Sequence, residues 1–340
     1  MILYVENGEK GGWLMPTLKD LAQECGLSQS TLSRALNYCS GTGADAARIA
    51  CELKRKYDIR PFDRGEYRVG VILPDTPKYF WHLAWTSLRD RLKIHGIRFR
   101  PAFFESMRCG ALVVEILREM EELGIELVVM PYVADCADYI AESSMRYFFL
   151  CEHAELENTF SFCSDSYRDG VRLGQLITDH LPDQRKIVMV RGKNETANPR
   201  LRGLRDVVGG DRICADMMQP LVNLHLVPAL LARELAALNV EFDTVCCLSG
   251  FSHRAALAIH KLGLLGKVKV VGFEGPGPDN PYVRDGTIAA LMVQDITKQA
   301  QIVADAVADY TRDGKLPEQQ YTTIDSIPRL FRPEDGECDQ

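Results

Sequence analysis

Between Thr17 and Asn37 apolar residues recur three and four positions apart: Leu18, Leu21 and Ala22, then Leu32, Ala35 and Leu36. That spacing predicts two short amphipathic helices. Thr17 is placed to cap the first, and Asp20 three residues on completes a capping box with Asp in the usual Glu/Gln place. Gly26 supplies the left-handed residue that ends it. Ser28 caps the second, which starts near Gln29. The positions left for the outer face of that second helix are Gln29, Ser30, Thr31, Ser33, Arg34 and Asn37. Two helices on a tight turn, the second polar outside, form a helix-turn-helix pattern. Such a motif lays the start of its second helix against base edges in the major groove. There Arg pairs with guanine and Gln with adenine. A small helical hairpin without this role is the plain alternative.

From Tyr67 onward the pattern changes. Short apolar runs, from Arg68–Leu73 to Ala289–Val293, alternate with amphipathic stretches such as Trp81–His95, Leu112–Leu123, Gly170–Leu181 and Ile296–Asp313. This strand-helix alternation predicts parallel sheets covered on both faces. The number of segments suits two similar lobes with a cleft between them. In such folds ligands bind beyond the carboxyl ends of strands, and Asp75 follows the first strand.

Composition narrows the class. The 340 residues suit about two domains, and an ordinary apolar fraction can fill a large core. No apolar stretch is long enough to span a bilayer, and the start lacks the layout of a signal peptide. The eleven cysteines are scattered, with Cys246 and Cys247 adjacent in an apolar run, which suits buried thiols in a reducing cytoplasm. No Cys/His spacing points to a metal, and no cofactor is implied. The net charge of −7 would be odd for a protein that simply coats DNA. However, Arg48, Lys54, Arg55, Lys56, Arg60, Arg64 and Arg68 crowd one region and could hold phosphates, although Asp58, Asp63 and Glu66 dilute the field. The seven histidines stand in no readable catalytic order, and Lys193-Asn194 lacks the glycine spacing of a phosphate loop.

The run Thr17–Asn37 resembles the DNA-binding headpiece of the lactose-repressor/galactose-repressor (LacI/GalR) family of bacterial transcription regulators. That pattern is approximately T-x-x-D-(V/L)-A-x-x-A-G-V-S-x-x-T-V-S-R-V-L-N, with Cys25 here in place of the second Ala. The resemblance continues through a third helix, about 45–57, and Tyr57-Asp58-Ile59-Arg60-Pro61, and less closely to about Ile327. It implies an all-α helix-turn-helix headpiece followed by an α/β periplasmic-binding-protein-like core of two doubly wound parallel-sheet lobes. The expected divisions are an extension 1–14, a DNA-binding domain 15–61, a linker 62–67, a core 68–330 and a tail 331–340. Within the core, lobe 1 takes 68–164 and 295–324, and lobe 2 takes 165–294 and 325–330. The candidate DNA contacts are Thr17, Gln29, Ser30, Thr31, Ser33, Arg34 and Asn37.

Family members carry a longer linker that folds as a hinge helix on DNA and wedges a leucine into the minor groove. Here Phe62–Arg68 is about two helical turns shorter, contains Gly65 and has no leucine. Specificity should then rest on the second helix and phosphate contacts, without a kinking wedge. For the effector, the resemblance implies Tyr79, Phe80 and Trp81 as aromatic contacts, with Asp165, Arg200 in the R-x-x-G element ending at Gly203, and Gln294. Two departures stand out. Ser249-Gly250 replaces the family's N-D, and Gly272-Phe273-Glu274-Gly275 replaces its G-Y-D-D. Ser249 and Glu274 complete the effector candidates alongside Asp75, and the two departures weigh against an ordinary monosaccharide site. The expected protein is a cytoplasmic, homodimeric, non-enzymatic regulator, a repressor that binds operator DNA and a sugar or sugar acid and touches no membrane. A periplasmic-type solute receptor and a cleft enzyme are the competing readings.

Overall fold

A computed structural model describes residues 16–57, 59, 67–75, 79–104, 110–192, 197–219, 227–277 and 279–331. The expected N-terminal extension, Phe62 and nearly all the linker, Arg60, Arg64, Lys193, Asn194 and the tail beyond 331 lie outside them.

Three helices come first: α1 (Leu18–Cys25), α2 (Gln29–Leu36) and α3 (Ala44–Tyr57). Their ends follow local chemistry. The Thr17 hydroxyl accepts from the Asp20 N–H, and the Asp20 carboxylate accepts in return from the Thr17 N–H at 2.8 Å. Gly26 takes φ +69°, and the Leu27 N–H closes back on the Ala22 carbonyl. Ser28 caps α2 by accepting from the Thr31 N–H at 3.1 Å. Leu21, Ala22, Leu32, Ala35 and Leu36 bury against Ala46, Ala50 and Leu53 of α3 and against Ile59.

The rest of the described chain supplies β1 (Val69–Pro74), α4 (Tyr79–Ile94), β2 (Phe99–Phe104), α5 (Gly110–Glu122), β3 (Leu127–Met130), α6 (Ala137–Glu142), β4 (Arg146–Leu150) and β5 (Thr159–Cys163). It continues with α7 (Ser166–His180), β6 (Ile187–Gly192), α8 (Ala197–Val208), β7 (Ile213–Gln219), α9 (Val227–Ala237), β8 (Thr244–Cys247) and α10 (Ser252–Lys261). Then follow β9 (Lys269–Phe273), α11 (Pro281–Arg284), β10 (Ile288–Val293), α12 (Ile296–Asp313), β11 (Tyr321–Thr323) and β12 (Ile327–Leu330).

These elements form two units. The first holds residues 1–163 and 296–322, the second 164–295 and 323–340, so the chain passes from one to the other three times. The first unit's sheet runs β11-β5-β4-β3-β1-β2, and the second's runs β12-β10-β9-β8-β6-β7. The pairings within β1–β5 and within β6–β10 are parallel, whereas β12 adds antiparallel to β10. Each is therefore a doubly wound α/β unit. Alternation along the strands feeds two faces. In the second unit Val188, Val245, Cys247 and Val270 pack toward α9 and α10, while Met189, Cys246 and Val271 pack toward α7 and α8. Cys246 and Cys247 thus face opposite layers, and burial pushes both thiols up, Cys247 to about 12.

Helices α7 and α8 approach at backbone distance. A Cβ on Gly203 would collide with the Tyr167 carbonyl oxygen, and one on Gly170 with that of Arg200. The glycine of the R-x-x-G element is therefore a packing residue that lets α8 lie on α7. Gly203→Ala should push these helices apart and destabilise the second unit by about 1–3 kcal/mol. Calorimetric unfolding checks this, and an unchanged transition would remove the steric account.

Candidate functional site

The outer face of α2 carries the polar residues the pattern assigns to it. Gln29, Ser30 and Arg34 are exposed, as is Thr17 at the start of α1, and Thr31, Ser33 and Asn37 are half-buried. Part of this set is engaged internally. The Asn37 amide donates to the Ser33 carbonyl at 2.7 Å, and the Thr31 hydroxyl lies 2.8 Å from that of Ser28. Arg34 reaches forward from the helix, its Nη2 donating to the Ser40 carbonyl.

The basic cluster reads differently in three dimensions. Arg48 pairs with Glu52 at 2.7 Å, Lys54 with Glu119 at 2.6 Å and Arg55 with Glu115 at 2.8 Å. Lys56 pairs with Glu24 at 2.5 Å and Arg68 with Glu126 at 2.6 Å. Every described member thus pairs with an acid, Arg48 with one a helical turn away and the other four with acids far off in sequence. The cluster works mainly as a set of internal ties, not as an open cationic field.

Two of those ties join the N-terminal helices to the rest of the first unit. Tyr38, 5% exposed, sits in one apolar cluster with Ile72, Phe104, Leu117 and Met120. Its hydroxyl donates to Glu119 at 2.6 Å, and its carbonyl accepts from the Phe103 N–H at 2.9 Å. Lys54 lies over the Tyr38 ring, 3.9 Å from its centre, and burial lowers its pKa against the pull of Glu119. Tyr38 also adopts φ +50°, a left-handed conformation that costs a non-glycine residue roughly 1–2 kcal/mol. The contacts of its ring, hydroxyl and carbonyl hold it there.

The first unit's effector candidates lie near the end of β1. Asp75 accepts from the Gly41 N–H. Tyr79 opens α4, and Phe80 and Trp81 are half-buried and meet edge to face with centroids 5.1 Å apart.

In the second unit the candidates converge on the carboxyl ends of β8, β9 and β10. Arg200 on α8 is 3% exposed. Its Nη1 donates to the Leu248 carbonyl at 3.1 Å, and its guanidinium stands 4.1 Å from the centre of the Phe273 ring. Ser249 accepts from the Gly192 N–H at 3.1 Å. Glu274 follows β9 in a left-handed conformation, φ +51°, and its carboxylate accepts from the Gln294 N–H at 2.9 Å. Glu274 keeps intermediate exposure as a residue, but its carboxyl is enclosed, and burial raises its pKa to about 7 against the opposing pull of the Gln294 N–H and Arg200. Asp169, the other acid acting on it, is buried and accepts from Ser326 at 2.7 Å. Asp165 serves as the N-cap of α7, accepting from the Arg168 N–H at 3.0 Å.

Arg200, Glu274 and Gln294 thus come together, with Ser249 on the neighbouring strand end. Asp169, Ser326 and Phe273 belong with them and were not among the sequence candidates. On a helix written with alternating charges, Asp169 reads as a solvated acid. Its one local signal is Gly170, whose missing side chain admits α8. A carboxyl whose proton is held more firmly by burial can donate as well as accept hydrogen bonds, and both are of use to a hydroxylated ligand.

Comparison with known proteins agrees with this architecture. Residues 152–316 match a family described as a periplasmic binding protein domain. The ribose operon repressor of Bacillus subtilis (strain 168) is 25% identical over 276 residues, which span 76% of this chain and 82% of the repressor. Among solved structures, a glucose-galactose binding protein from Geobacillus stearothermophilus superposes with a TM-score of 0.68 at 14% identity, over 80% of this chain and 99% of its own. A myo-inositol binding protein from Caulobacter, bound to myo-inositol, gives 0.68 at 16% identity, over 81% and 96%. At these identities the structural likeness is one of fold. Among the described residues no helix is long and apolar enough to cross a membrane.

Proposed function

We propose that this chain is a DNA-binding transcriptional regulator, a homodimeric repressor, whose activity is set by a carbohydrate or a carbohydrate-derived compound. The observation that carries this reading is α2, capped by Ser28, buried on one side and presenting Gln29, Ser30 and Arg34 on the other, ahead of two periplasmic-binding-protein-like units. Support for the effector comes from the likeness to sugar-binding proteins and a ribose operon repressor, and from the group Arg200, Glu274, Gln294 and Asp169 at strand ends. Two copies related by a two-fold axis would read a palindromic operator. An effector would act by binding one conformational state better than another.

Selection of duplexes from a random-sequence pool tests the reading. Wild-type protein should enrich one sequence family, and Arg34→Ala should lower the preference for it about tenfold or more per half-site, the size of one lost bidentate base contact. Protein that enriches nothing over random competitor at moderate salt would overturn the proposal. The likeness to solute-binding proteins favours one other reading, a sugar receptor without DNA. It predicts sugar binding by calorimetry together with no enrichment.

A further inference from the structure

Directly after α2, the segment from Tyr38 to Gly41 is stitched to the carboxyl ends of two neighbouring strands. β1 and β2 lie side by side in parallel, with Leu73 opposite Phe103 and Pro74 opposite Phe104. β2 is the edge of the sheet, and its Phe103 N–H donates to the Tyr38 carbonyl at 2.9 Å. Asp75, one residue beyond β1, has its own N–H held by the Phe104 carbonyl at 2.6 Å and its carboxylate on the Gly41 N–H. Between these two ties stands Ser40, whose carbonyl receives the Arg34 guanidinium. A side chain at Gly41 would crowd that guanidinium at 3.0 Å, and Gly41 adopts φ +73°, so the turn fits closely around it.

We infer that Asp75 is a positioning residue for Arg34: by holding the Gly41 N–H it sets the turn whose Ser40 carbonyl aims the guanidinium outward from α2. An exposed arginine side chain has many rotamers, and ordering it before binding reduces the entropy lost on contact. A supporting hydrogen bond of this kind fixes where a functional group points. The sequence pattern assigns Asp75 to the effector because it follows a strand, and the geometry places its carboxylate on the Gly41 N–H, in the turn that follows the helix proposed to read DNA. The inference rests on the proposed reading of α2.

Two measurements on full-length protein test it. First, hydrogen exchange at the Gly41 amide, followed in peptides covering residues 38–43, should accelerate about tenfold or more in Asp75→Ala without DNA, with exchange in β3 and β4 unchanged. Second, duplexes selected by wild-type protein serve as probes. Asp75→Ala should lower the preference for them over random duplex about tenfold, while salt-dependent binding to random duplex stays as in wild type. Adding Asp75→Ala to Arg34→Ala should then lower it no further, because the positioned group is already gone. Equal discrimination by Asp75→Ala, or losses that multiply in the double variant, overturns the positioning role and leaves the DNA-reading proposal standing. Wild-type protein that discriminates no duplex sinks both, even where the exchange response remains.

Discussion

Glu119→Ala is expected to loosen the N-terminal helices from the first unit by about 3–5 kcal/mol, the range seen when one partner of a buried ion pair is removed. Lys54 is 8% exposed and Glu119 18%, so the ammonium left behind has little water to turn to. The same carboxylate oxygen also accepts from the Tyr38 hydroxyl, which loses its acceptor inside an apolar cluster. Tyr38 then keeps a left-handed backbone with one fewer contact to justify it. Hydrogen exchange should show α1–α3 opening well before β3 and β4. The double variant Lys54→Met/Glu119→Leu separates charge burial from packing, because replacing both ions by apolar groups is often neutral or stabilising. Equal weakening in the single and the double variant would show that the charge pair is not what matters.

Glu274→Gln should stabilise the protein at pH 8 and do so much less at pH 5. In the unfolded chain the carboxyl titrates near 4.5, and in the folded protein near 7. Its folded form therefore favours the proton. The associated stability is complete below about pH 4.5 and is lost as pH rises through 7. The gap corresponds to at most about 3.5 kcal/mol, at about 1.4 kcal/mol per pH unit. Glutamine keeps an oxygen for the Gln294 N–H and carries no charge to bury. Scanning calorimetry at the two pH values checks this, with a rise of several degrees expected at pH 8 only. A Tm that falls at pH 8 would mean that Arg200 needs the negative charge more than burial penalises it.

These two sites also mark where the sequence is legible. Helix ends written in neighbouring residues are clear, since Thr17 with Asp20, Gly26, and Ser28 with Thr31 are contacts within a few positions. The strand-helix alternation likewise carries the doubly wound units, because strands buried on both faces read as apolar runs. α8 is harder to see. Pro199 and several charged residues mask its period, although Pro is tolerated within the first turn of a helix, where its missing N–H would have no helical partner. The strands β11 and β12 are too short to show a pattern. Long-range pairing is silent in the sequence. Nothing near Tyr38 names Glu119, 81 positions away, and a run of Lys and Arg gives no sign that distant acids already match it. In the second unit, Glu274 shows in the sequence as a departure from a family pattern, but its enclosure depends on Gln294 and Asp169 from other elements.

The seam at Tyr38 bears on how this molecule is divided. A conventional cut before β1 would treat everything upstream as a detachable reading head and everything downstream as a self-sufficient sensor. Here the first unit's sheet ends on a Phe103 amide satisfied from upstream, and its interior borrows an aromatic ring from the same place. A fragment beginning at Val69 would carry a ring-sized void and a bare sheet margin.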